Sequence, residues 1–356
     1  MKAERVSMTR PTIIDIAKHA GVSFKTVSRV LNKHPKVGED YRRKVEQAME
    51  ELNFRPNRAA QQLRGGRSSM LGLLVSDSAA IHKLDEGNRL PSYLADIITG
   101  MLQSCQQAGF HLVTENIDSS DAEAGRAWLD DCFDAVSFDG LLLMPPLCDC
   151  DWLLDELDAR QVRYARMNPG TQLDRGLCLV IDNYAAGREI GAYLLAQGHR
   201  RLGYITGPAS HFAHTPRLDG LRDAMANVPD TQLQIEQGAF TFDSGLKAGA
   251  AMMDSAIPPT AIFAANDEMA AGVLAMAFER GLQVPAQLSI FGFGGLLISQ
   301  STWPRISTVS QPTIAMARMA ADALIAATLE GKEWEARCVQ IDYELKLRQS
   351  VADISG

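Results

Sequence analysis

The stretch from Thr12 to Asn32, TIIDIAKHAGVSFKTVSRVLN, constrains this chain more than any other. Ile13, Ile16, Ala17 and Ala20 recur at i, i+3, i+4 and i+7, which is one face of a helix. Gly21 breaks the period and supplies a turn. Ser23 stands where an N-cap belongs, its hydroxyl free to accept a backbone N–H of the next turn. Val27, Val30 and Leu31 then form an apolar face. The other face of this second helix carries Lys25, Thr26, Ser28, Arg29 and Asn32, all able to bond phosphate oxygens or base edges. Two short helices joined this way make a helix-turn-helix, whose second helix enters the major groove of DNA.

Charge distribution supports that expectation. The 356-residue chain has a formal charge of −8, but residues 1–68 hold 15 Lys/Arg against 7 Asp/Glu and the remainder 20 against 36. A basic head on an acidic body suits a head that binds polyanions and a body that stays off them. No run of about 18 apolar residues suggests a membrane span. No apolar signal core precedes Thr12, so a cytoplasmic protein is expected. Six Cys without framework spacing read as reduced thiols. Cys148-Asp149-Cys150 resembles a metal clip but lacks a second Cys or His pair at zinc spacing. His211 and His214 read as loop residues. The natural start could be Met1 or Met8.

A third helix is expected from Glu39 to Leu52, with Val45, Ala48, Met49 and Leu52 closing a core on Ile16, Val27 and Leu31. Asn57 to Arg64, bounded by Pro56 and Gly65-Gly66, is helix-capable but too short to be stable alone in water. Ala59 and Leu63 share one face of it. Leu63 on a basic linker is wasteful unless it wedges into a minor groove. From Met70 the texture becomes alternating strand and helix signals, which predicts parallel sheets with helices on both faces in two successive lobes. Strands are expected at Met70–Val75, His111–Glu115, Gly140–Met144, Val162–Arg166, Leu202–Ile205, Ala261–Ala264, Leu288–Phe293 and, last, Val339–Leu345. Ligands of such sheets bind outside the strand carboxyl ends, here between the lobes.

Residues 12–64 resemble the headpiece of the lactose/galactose repressor family. The blocks that carry the resemblance are Asp15-Ile16-Ala17, Ala20 to Ser23, Thr26 to Asn32 and Pro56-Asn57. Residues 69–348 resemble that family's sugar-binding, periplasmic-binding-protein-like (type I) body, through Ile181-Asp182-Asn183, Gly198-His199-Arg200-Arg201, Pro259 to Asp267 and Leu288-Ser289. The resemblance implies an all-α helix-turn-helix headpiece at 8–56, a hinge helix and linker at 57–68, and a two-lobed α/β effector and dimerisation domain at 69–348. Lobe 1 is expected at 69–179 plus 310–335, and lobe 2 at 180–309 plus 336–348. It further implies a homodimer on a near-palindromic operator under allosteric control by a small molecule. Phe24, Lys25 and Arg29 fall on the base-reading positions. Thr12, Ser23, Thr26, Ser28 and Asn32 would sit on phosphates, and Asn57, Ala59 and Leu63 on the minor-groove hinge. Arg217, Asn266 and Phe240 align with cleft residues that hold a sugar, and Ser76, Asp77 and Asp182 lie near the expected cleft rim. No leucine heptad follows Gln349, so a dimer without a tetramer-forming tail is expected.

Two departures stand out. Where the family usually has an Asp after the Leu288–Ile290 strand, this chain reads Gly292-Phe293-Gly294-Gly295, and Arg166 stands at a strand end where many members have Asp. A cleft that loses an anion and gains a cation suggests an effector with negative charge, such as a uronic or phosphorylated sugar. A neutral oligosaccharide held by Arg166, Arg217 and Asn266, or a lost effector function, are the alternatives. An activator, or a regulator answering a non-sugar molecule, also fits the sequence. No Walker lysine loop, dinucleotide turn or nucleophile elbow is present, so neither enzyme chemistry nor a cofactor is expected.

Overall fold

Thr12 starts the first helix, α1 (Ile13–His19), through a reciprocal cap. Its Oγ1 accepts the Asp15 N–H, and its own N–H donates to Asp15 Oδ2 at 2.7 Å. Gly21, at φ +63°, turns the chain. Ser23 Oγ then accepts the Thr26 N–H at 3.1 Å and opens α2 (Phe24–Leu31). Helix α3 (Glu39–Glu51) follows. Ile16, Ala17, Val27, Val30, Val45, Ala48 and Phe54 close one core among the three helices. His19 Nε2 meets Glu51 Oε2 at 2.7 Å and ties α1 to α3; this bond lowers the Glu51 carboxyl pKa.

The computed structural model describes residues 11–31, 37–52, 54, 68–76 and 91–355, so Asn32, Asn57, Ala59, Leu63 and Asp77 lie outside the described residues. The chain divides into two units, Met1–Ser68 and Ser69–Gly356.

The second unit holds two six-stranded sheets. The first contains β1 (Met70–Ser76), β2 (His111–Ile117), β3 (Gly140–Leu143), β4 (Tyr164–Met167), β5 (Leu177–Val180) and β11 (Arg337–Gln340), in the order β11-β5-β4-β3-β1-β2 and parallel throughout. The second contains β6 (Arg201–Thr206), β7 (Gln232–Gln237), β8 (Ala261–Ala264), β9 (Ser289–Gly294), β10 (Ser307–Ser310) and β12 (Glu344–Lys346), in the order β12-β10-β9-β8-β6-β7. Only its edge pair β10–β12 is antiparallel. Around the first sheet lie α4 (Ser92–Ala108), α5 (Ala122–Ala135), α6 (Asp151–Ala159) and α12 (Thr313–Glu330). Around the second lie α7 (Asn183–Ala196), α8 (His214–Met225), α9 (Phe242–Met253), α10 (Asp267–Glu279) and the short α11 (Leu297–Ser301).

The expected final strand Val339–Leu345 is corrected by this topology. Residues 337–340 pair with Leu177–Val180 in the first lobe, and residues 344–346 pair with Ser307–Ser310 in the second. The stretch crosses between lobes, so lobe 1 takes back its chain through Gln340 rather than ending at 335. Three strands go beyond the expected set: Leu177–Val180 is apolar but only four residues long, Gln232–Gln237 is a polar edge, and Ser307–Ser310 buries hydroxyls around a single aliphatic residue, Val309. The tail beyond 348 is also packed. Ser350 Oγ donates to Ile290 O and accepts the Ser307 N–H, and the Ile354 N–H donates to Gln197 O.

The chain therefore crosses between lobes three times, after Val180, after Ser310 and after Gln340. Strand carboxyl ends of both sheets meet at these crossings, which is where a cleft forms. No helix among the described residues is long and apolar enough to cross a membrane.

Candidate DNA-reading face and effector cleft

On α2 the burial pattern separates two faces. Val27 and Val30 are buried, whereas Phe24 (42% exposed), Lys25 and Arg29 point to solvent. These three are the residues placed on base-reading positions by resemblance. Thr26 and Ser28 are half-buried beside them. The hydroxyls of Ser23 and Thr26 meet at 2.9 Å, so both are ordered by the turn before any contact with DNA. Thr12 is ordered likewise by its cap on Asp15.

In the body, Arg217 lies in the first turn of α8. It is 5% exposed. Its Nε donates to Asn183 Oδ1 at 2.8 Å and its Nη1 to Ala265 O at 2.7 Å. The guanidinium lies 3.4 Å above the Phe293 ring centroid, a cation–π contact. Burial lowers its pKa to about 10, so it stays charged at neutral pH. Nη2 makes no hydrogen bond among the described residues. Helix α8 reaches this position because α7 and α8 touch backbone to backbone: a Cβ on Gly187 would stand 2.1 Å from Arg217 O.

Beside it, Phe240 adopts φ +59° and its ring meets His211 edge-on at 4.9 Å. Asn266 holds that bend. Its Nδ2 donates to Phe240 O at 2.9 Å, while its Oδ1 caps α10 by accepting the Met269 N–H. Asp182 has a comparable local task, Oδ1 accepting the Ala185 N–H at the start of α7. Ser76 is buried at the carboxyl end of β1.

Arg166 corrects the expectation of a cleft cation. It is wholly buried, and its five N–H groups are taken by other groups of lobe 1. Nε donates to Cys148 O, Nη1 to Gln172 O and Arg175 O, and Nη2 to Thr171 O and Asp149 Oδ1. The reason is strand parity. Ala165 and Met167 face one side core, while Tyr164 and Arg166 project to the other, under the segment Leu147–Asp149 and α6. The aspartate missing after β9 has a related explanation. Gly294 sits at φ +127°, closed to an L side chain, and the turn is pinned by Asp267. Asp267 accepts the Leu296 N–H at 2.7 Å and the Thr308 hydroxyl at 2.6 Å. Burial still pushes its carboxyl up to about 6.

Sequence reasoning missed three residues here. Asn168, one position past β4, accepts the Ile181 N–H at 3.2 Å and donates to Tyr93 Oη at 3.2 Å and Gln311 Oε1 at 3.4 Å. It thus joins two of the three crossings. His211 packs in the cleft, and burial together with Arg217 lowers its pKa to about 4. His214, expected in a loop, begins α8. The signal that finds Asn168 is its position, one residue past the carboxyl end of β4; His211 lies in the loop that follows β6.

Comparisons with known proteins agree with this geometry. The family described as "Bacterial regulatory proteins, lacI family" matches residues 12–57, and "Periplasmic binding protein-like domain" matches residues 192–351. The chain is 34% identical to the HTH-type transcriptional repressor PurR of Proteus mirabilis (strain HI4320), over 96% of this chain and 97% of that protein. The Lac repressor dimer bound to operator and the anti-inducer ONPF is 27% identical, with a TM-score of 0.81, over 97% of this chain and 100% of that one. A complex of the transcriptional regulator CelR with cellobiose is 29% identical, with a TM-score of 0.69, over 96% of this chain and 100% of that one. With a helix-turn-helix headpiece and a two-lobed periplasmic-binding-protein-like body, the chain belongs to the lacI family of bacterial regulatory proteins and is a DNA-binding transcriptional repressor.

Proposed function

We propose that this repressor acts in the cytoplasm as a homodimer on a near-palindromic operator and is controlled by a neutral carbohydrate bound between its lobes. The observation that carries the effector reading is Arg217: held by Asn183 and Ala265, stacked on Phe293, with Nη2 unbonded among the described residues and its charge felt by His211, whose ring meets Phe240. A cation with free donors next to aromatic rings suits a hydroxyl-rich ring that stacks on one face and accepts hydrogen bonds at its edge. The withdrawal of Arg166 into lobe 1 takes away a cation that an acidic sugar would need. The cellobiose bound by the CelR relative supports the same class.

On the DNA side, Phe24, Lys25 and Arg29 read base edges. Thr12, Ser23, Thr26, Ser28 and Asn32 contact phosphates. Asn57, Ala59 and Leu63 form the minor-groove segment. Phe278 and Trp303, each 85% exposed on the second lobe, are apolar groups that a second copy would cover.

A thermal-shift panel of neutral sugars, uronic acids and sugar phosphates tests the effector reading. A ligand at 100 times its dissociation constant adds about 2.7 kcal/mol, which moves a body of this size by several degrees. A hit among neutral sugars is expected. Hits confined to the acids would overturn the neutral class, and silence across the panel would overturn a carbohydrate effector.

A further inference from the structure

The ion pair between Arg166 and Asp149 lies entirely inside lobe 1, with side-chain exposures of 0% and 4%. Such a pair is weak evidence for stability, because desolvating two charges offsets most of their attraction. What this pair does is visible in its other partners. Asp149 accepts the N–H groups of Gly170 and Thr171 and the Thr171 hydroxyl, at 2.9–3.0 Å. Arg166 donates to the carbonyls of Thr171, Gln172 and Arg175. One charge takes the loop's donors and the other its acceptors. The loop between β4 and β5, with Asn168 and Gln172 both at left-handed φ, is thereby held in a single shape. An apolar plug could fill the same volume but could not serve both sets of backbone groups.

That shape reaches the other lobe. A Cβ on Gly170 would stand 2.4 Å from Phe212 Cβ, so Phe212, on the cleft loop of lobe 2, packs directly on the bare Gly170 backbone. The same loop begins with Asn168, which binds Tyr93 and two interlobe crossings. We propose that Arg166 and Asp149 are positioning residues for lobe closure: they shape the loop of residues 168–175 into the seat that receives Phe212 across the cleft. Its bearing on effector control rests on the reading of the cleft given above, but closure itself does not, and the test below uses no effector.

The test is amide hydrogen exchange on the intact chain. Arg166→Lys keeps the charge and loses the planar fork with its five donors. Exchange is expected to rise by about tenfold both in 168–176 and, across the cleft, in 207–213, with Arg201–Thr206 unchanged. Gly170→Ala leaves the ion pair intact and blocks the seat, so it should raise exchange in 207–213. Combined with Arg166→Lys it should add nothing further there, since both act on one contact. A purely structural pair would loosen 168–176 alone. That result, or wild-type exchange in 207–213 for Gly170→Ala, overturns the proposal. Should Arg166→Lys lose protection throughout the first sheet, the near-isosteric Asp149→Asn gives the same comparison with the same two outcomes.

Discussion

Replacing Gly187 by alanine should displace the cleft arginine without touching it. The added Cβ would lie 2.1 Å from Arg217 O and 2.7 Å from its C and Cα, whereas ordinary contact begins near 3.4 Å. The obstructing atoms are main chain and cannot rotate aside, so α8 must retreat by about 1 Å, and Gly220 against Tyr184 O shows that the neighbouring turn has no slack either. Overpacking of this kind costs about 1–3 kcal/mol. Alanine's better helix propensity returns about 0.8–1 kcal/mol. The net loss is about 0–2 kcal/mol, or a fall in Tm of up to roughly 8 °C for a body of this size. Gly249→Ala on α9 is the control. Its Cβ would meet the ends of Met276 and Val273 side chains at 3.0 and 3.2 Å, which can adjust, so the propensity gain should dominate and Tm should hold or rise. Calorimetry on the two variants reads this directly, and the sugar-dependent shift should shrink in Gly187→Ala alone. Equal Tm changes in the two variants would refute the claim that helix contact fixes Arg217.

On the DNA-reading helix, Lys25→Ala should change preference at one base position in a binding-site selection, whereas uniform weakening across sequences would make Lys25 a phosphate contact. Thr12→Ala removes the hydroxyl half of the α1 cap, leaving the residue-12 N–H on Asp15, and should cost the headpiece about 0.5–2 kcal/mol, seen as faster amide exchange in residues 13–19 of the intact chain; unchanged exchange would mean the hydroxyl is dispensable. His211, with its folded pKa lowered to about 4 from 6.5, binds a proton more readily in the unfolded chain. Its contribution is therefore present above pH 6.5 and lost as pH falls towards 4. Asp267, raised to about 6, works in the opposite sense over an overlapping window. Urea denaturation at pH 7 and pH 4.5 should accordingly show a smaller acid loss for His211→Gln than for wild type, and equal losses would count against burial of a neutral imidazole.

The headpiece is legible in the sequence because its determinants are local. Periodic apolar residues define the helices, Gly21 the turn, and Ser23 the cap of the second helix. In the body the alternation of strands and helices is equally local, but the side-chain assignments are not. Arg166 ends an expected strand, and a strand end was equated with the cleft. Parity instead sends its guanidinium through the sheet face to a loop contributed by residues 147–175, which no spacing reveals. Asp182 and Asn266 each precede a helix, and that position marks a cap as strongly as a binding residue. Val339–Leu345 reads as one strand because apolar residues continue through it, while the crossing in its middle exists only once both sheets are formed.

The same architecture bears on how little energy a ligand must supply. Each lobe's sheet is covered by its own helices, and one continuous cluster of buried apolar residues runs through both. The polar joints between the lobes are softer: the Asn168 bonds that tie two of the crossings, and Ser92 Oγ donating to Glu268 Oε1 at 2.7 Å from α4 to α10, beside Phe212 on Gly170. Hydrogen bonds of this sort contribute about 0.5–1.5 kcal/mol each, more with a charged partner. A few of them amount to the 1–3 kcal/mol typical of coupling between sites. On the proposed reading, an effector that bridges Arg217 on one lobe to the strand ends of the other would compete with contacts of its own magnitude, and a balance set that low would let a small molecule decide how the two lobes are arranged.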